Sequence, residues 1–86
     1  MEFFNAIEYY EESEIGLGYD FALEVYTTIE RILAHPRAWR YMEEGIRRAL
    51  VRRFPYGVLY MENNDEIYIT AIMHLHREPN YWKHRI

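Results

Sequence analysis

The chain has 86 residues, half of them hydrophobic, no cysteine and a net charge of −4. That length allows a single domain, residues 1–86, with one modest core. The missing cysteines exclude a disulfide framework and a thiolate zinc site, and no apolar run approaches the roughly 20 residues that span a bilayer. With no basic stretch at the N-terminus to suggest a signal peptide, a cytoplasmic protein is expected.

From Phe3 to about Ser13, Phe3, Ile7 and Tyr10 recur at helical spacing with glutamates on the other side, which predicts an amphipathic helix. Gly16-Leu17-Gly18 suits a helix end and a tight turn. A second helix is expected from about Tyr19 to His35, because Phe21, Ala22, Val25, Ile29, Ile32 and Leu33 keep the helical period until Pro36 stops it. Residues 36–45 read as a connector with room for a helical turn. After Gly45 the period becomes strand-like, over Arg47–Phe54 and Tyr56–Glu62, with Phe54-Pro55-Tyr56-Gly57 as the corner between them. Asn63-Asn64-Asp65 signals a hairpin turn into a third strand, Ile67 to Leu75.

Simple alternation in that last strand puts Ile67, Ile69, Ala71, Met73 and Leu75 toward the helices. It puts Tyr68, Thr70, Ile72, His74 and His76 on the other face. The first strand alternates less cleanly, with arginine in both parities, which suggests a bulge or a partly open face. The expected fold is α+β: an N-terminal helix hairpin on a three-stranded antiparallel sheet, with one sheet face left uncovered.

Charge is segregated along the chain. Residues 1–30 carry eight acids and no Lys or Arg, whereas residues 31–60 carry seven arginines against Glu43 and Glu44. Four of the arginines, Arg47, Arg48, Arg52 and Arg53, sit on or beside one strand-like segment. Such clustering in an acidic protein points to an anionic partner, either nucleic acid or an acidic polypeptide. The bland alternative is pairing with the glutamates of the hairpin. Alternation puts Arg48 and Arg52 on one face and Arg47 and Arg53 on the other, so a regular strand cannot aim all four at one ligand. Partner binding is therefore expected of at least two of them.

The order of these features resembles the RelE/ParE superfamily of toxins from type II toxin–antitoxin modules, often described as plasmid stabilisation proteins. The resemblance runs from about Ile7 to Trp82. It is carried by Tyr9-Tyr10-Glu11, Leu17-Gly18, Arg52-Arg53-Phe54-Pro55-Tyr56, and His76-Arg77 followed by Pro79 and Trp82. It implies a basic sheet face and a cognate antitoxin that neutralises the toxin. The implied target is either DNA gyrase, with a slight preference for this ParE-type reading, or the ribosome and its mRNA. The chain departs from the family in two respects: a helix stands where relatives open with a β-strand, and the net charge is negative. The unpaired sheet edge expected here is a docking site for another strand, including one from a second copy.

If the implied activity is ribosome-dependent RNA cleavage, it needs proton carriers and cations that stabilise developing charge. His76 and Tyr81 are the proton carriers for that role, with Arg77 and Arg52 as the cations; His74 is a weaker candidate, counted with the arginines as a binding residue. If the target is gyrase, the chain is not an enzyme. A non-catalytic interaction domain derived from such a toxin is a third reading. No cofactor and no metal are expected. Tyr56, Tyr60, Tyr68 and Trp82 read mainly as core and rim packing.

Overall fold

The computed structural model describes residues 2–76, with side chains from Phe3 onward. Two helices, α1 (Glu2–Ser13) and α2 (Leu17–Ala34), precede four strands: β1 (Tyr41–Glu43), β2 (Ile46–Leu50), β3 (Tyr56–Asn63) and β4 (Glu66–His74). The strands form one antiparallel sheet in the order β1-β2-β3-β4. The α+β class and the helix hairpin follow the sequence reading. The three-stranded sheet does not: Tyr41–Glu43, read as connector, is a fourth strand turned back onto β2 through Glu44-Gly45. The first long strand also ends at Leu50, because residues 52–55 bend and Arg53 takes φ +72°.

The helix hairpin closes through two specific contacts. Glu11 reaches past the end of α1 and accepts the N–H groups of Gly16 (2.9 Å) and Gly18 (3.0 Å). These belong to the set of donors that a helix start leaves without partners, so α1 caps α2. At Gly18 a Cβ would stand 2.6 Å from the Ile7 carbonyl oxygen. Only glycine allows the backbones to approach that closely.

The main core lies between the hairpin and one face of the sheet. Tyr10, Phe21, Phe54 and Tyr56 meet there with ring centroids 4.9–6.4 Å apart. This ties both helices to the corner between β2 and β3. Ala6, Val25, Ile32, Ala49, Val51, Val58 and Tyr60 complete the buried set. Each large side chain buried in this way stabilises the fold by about 1.5–3 kcal/mol. The aromatic pairs add about 0.5–1.5 kcal/mol each. Tyr60 is fully buried, and its hydroxyl donates to the Pro36 carbonyl at 2.6 Å.

β4 does not alternate as its sequence suggests. Leu59 pairs with Ala71 but Tyr60 pairs with Ile69, so Thr70 is an extra residue in the ladder. Its hydroxyl donates to the Leu59 carbonyl (3.3 Å). Across this bulge the side-chain parity reverses. Ile67 packs with the helix-side core as expected, but so does Ile72, while Ala71 and Met73 turn to the opposite face around Leu59. The expected positions of Ala71, Ile72, Met73 and His74 are therefore inverted. One inserted residue is enough to exchange every side chain beyond it.

Candidate partner-binding face

The four arginines expected to bind a partner have different surroundings. Arg47 stands opposite the buried Tyr60 and is engaged within the chain. Its guanidinium donates to the Trp39 carbonyl (2.6 Å), reaches the Arg37 carbonyl (3.5 Å) and donates to the Tyr41 hydroxyl (3.1 Å). It also covers the Tyr41 ring at 4.0 Å. Arg53 turns to α2, 3.6 Å from Asp20 and 3.9 Å from Glu24. Those pairs are the intramolecular alternative raised by the acidic hairpin.

Arg48 and Arg52 are not so engaged. Arg52 is exposed in the bend after β2. Arg48 lies opposite Leu59, on the sheet face away from the helices. Its stem crosses Gly57, where a Cβ would meet Arg48 Cγ at 3.0 Å and Cδ at 3.2 Å. A Cβ at Gly57 would require that stem to give by a few tenths of an ångström. Neither guanidinium has a carboxylate partner among the described residues.

Arg48 opens onto a notch at the β1–β2 side of the sheet. The cavity measures about 380 Å³ and is lined by Ala38, Trp39, Arg40, Tyr41, Met42, Arg48 and Leu50. The Arg48 N–H donates to the Arg40 carbonyl (3.0 Å), extending the pairing of β1 and β2 by one step and placing the two arginines side by side. Sequence reasoning missed Arg40 because the connector was given no strand. The usable signal was the Glu44-Gly45 turn, about which residues 40 and 48 are nearly symmetric. The indole Nε1 of Trp39 is buried with no hydrogen-bond partner among the described residues.

No family model, curated protein or solved structure matches this chain.

His74, one of the histidines singled out for catalysis or binding, stands apart from Arg48. His74 lies at the end of β4 with its ring 5.0 Å from Tyr56, on the helix side of the sheet and not on the open face where alternation had put it. The Thr70 bulge is the reason. Its Nδ1 accepts the backbone N–H of His76 (3.1 Å), which assigns the ring proton of the neutral imidazole to Nε2. The exposed His76 ring is 5.6 Å from that of His74. His74 and Arg48 thus occupy opposite faces of the sheet. Arg77 and Tyr81, the other residues singled out for catalysis, lie outside the described residues. Among the described residues no three His, Cys, Asp or Glu side chains converge as a metal site, and no helix is long and apolar enough to cross a membrane.

The open face is more apolar than expected. Tyr68 lies there as expected, opposite Met61, but instead of Ile72 and His74 the face carries Ile46, Leu59, Ala71 and Met73 around Arg48, with Leu59 and Met73 buried. Such a surface can bind through an apolar floor and a few cations. The described residues there offer no base and acid at a shared point.

Proposed function

We propose that this chain is a RelE/ParE-like toxin of a type II toxin–antitoxin pair, inhibiting growth by contact with DNA gyrase or the translating ribosome. The observation that carries the reading is the pair Arg48 in the sheet and Arg52 in the adjoining bend, neither of which has a carboxylate partner among the described residues. The helix hairpin packed on an antiparallel sheet supports the reading, although the chain opens on a helix where the family opens on a β-strand. The antitoxin is proposed to lie along α2, whose outer surface exposes Tyr19, Leu23, Tyr26 and Leu33 at helical spacing. The separation of the histidines from the open-face arginine favours inhibition by binding over RNA cleavage.

The test is induction of the chain in a bacterial host, with growth, plasmid supercoiling and mRNA integrity followed together. Growth arrest with relaxed plasmid is the expected result, and the Arg48→Ala, Arg52→Ala double variant should relieve it. Discrete mRNA cuts that disappear in Arg77→Ala would replace gyrase by the ribosome as the target. Full growth despite soluble, folded protein would overturn the toxin reading and leave an interaction domain.

A further inference from the structure

Arg40 and Arg48 stand side by side across β1 and β2, line the same cavity, and have no carboxylate partner among the described residues. Like charges directly opposite one another destabilise a sheet. Trp39, whose buried indole N–H has no hydrogen-bond partner among the described residues, lines the same cavity. An anion seated in the notch relieves the repulsion between the two arginines. We propose that the notch is a carboxylate-binding site, filled by an acidic side chain and its apolar neighbour from a partner polypeptide.

The rest of the lining selects a peptide over a nucleic acid. Ala38, Met42 and Leu50 form an apolar wall, with Leu50 48 % exposed, which suits an aliphatic side chain next to the acid. Single-stranded nucleic acid needs a track of cations and free aromatic faces on which bases stack. Here Arg47 and Arg53 are already engaged, and the Arg47 guanidinium covers the Tyr41 ring at 4.0 Å. The eight acids of residues 1–30 also repel a long polyanion, whereas one carboxylate meets two forks suited to bidentate pairing. The site stands without the toxin reading. On that reading, the antitoxin supplies the segment.

The experiment is a titration of the whole, isotope-labelled chain by NMR, using N-acetyl-Leu-Glu-Leu-amide as probe. Its Leu-Gln-Leu counterpart and a short oligothymidylate serve as controls. The expected result is saturable shifts of the Tyr41, Arg48 and Leu50 amides and of the Trp39 indole N–H with the Glu peptide. Binding should be at least tenfold weaker with the Gln peptide, and similarly weakened by Arg40→Gln, an exposed substitution that preserves the fold. Arg48→Gln should act alike. Equal binding of the Gln peptide, stronger binding of oligothymidylate at the same resonances, or no saturable shift at millimolar peptide would each overturn the proposal. Growth arrest is scored separately, so failure of the toxin reading leaves peptide binding to be judged by itself.

Discussion

Arg47 and Arg52 carry the same guanidinium in opposite surroundings. Arg47 holds the connector before β1 onto the sheet through the Trp39 carbonyl and the Tyr41 hydroxyl. Truncating it leaves a carbonyl without its donor and removes the cover from the Tyr41 ring. We expect Arg47→Ala to lower stability by about 1–2 kcal/mol, and Arg52→Ala to change it by less than about 0.5 kcal/mol. Urea unfolding of the two variants checks this, and a larger loss for Arg52→Ala would contradict the division of the arginines. The cluster itself was legible in the sequence, and so was its split between faces by alternation. Which arginines remain free was not, because that depends on carbonyls and carboxylates brought near by tertiary packing. Arg53 shows this most clearly: its partners Asp20 and Glu24 lie a full helix earlier in the chain.

At the scale of elements, the joint between α1 and α2 has no slack. Glu11→Ala would leave the Gly16 and Gly18 N–H groups without their acceptor, and we expect a loss of about 1–2 kcal/mol. Gly18→Ala should cost more, about 2–3 kcal/mol, because the new methyl meets the Ile7 carbonyl oxygen and the helices must separate. Thermal unfolding of both variants tests the order; a Gly18→Ala protein as stable as wild type would mean that the helices yield easily. Both helices were legible from their apolar period, and the Asn63-Asn64-Asp65 turn from its residue types. Asn64 and Asp65 adopt positive φ (52° and 66°), as a two-residue hairpin turn requires. Two features of the sheet were not legible. β1 is only three residues long and too short to show a period. The Thr70 bulge leaves an apparently regular alternation of Ile67, Ile69, Ala71 and Met73 that the ladder does not follow.

For the molecule as a whole, the buried tyrosines set an alkaline limit. Burial raises the Tyr60 hydroxyl above its ordinary value of 10.0, further helped by Glu62 and Tyr41 and opposed by Arg47. Tyr10 is also raised, first by burial and then by Tyr9. A raised folded-state value means that the native protein holds the proton more tightly than the unfolded chain. The associated stability is fully present below the unfolded value near 10 and is lost as pH rises through the folded one. Denaturation midpoints should therefore stay flat with respect to these groups up to about pH 10 and fall beyond it. Tyr60→Phe should flatten that fall while costing about 1 kcal/mol at neutral pH through the lost bond to Pro36. An unchanged alkaline slope in the variant would remove Tyr60 from the account.

The meander order has a consequence for how the chain reaches this state. Within each layer every element lies against its neighbour in sequence: α1 on α2, then β1, β2, β3 and β4 in turn. No strand has to wait for a distant segment to arrive, so loop closure imposes little delay and folding should be fast for a sheet protein. During synthesis the helix hairpin emerges first and offers its aromatic face before any strand exists. Each hairpin can then add at one growing edge, and the arginine notch takes its final form when β3 arrives beneath the Arg48 stem.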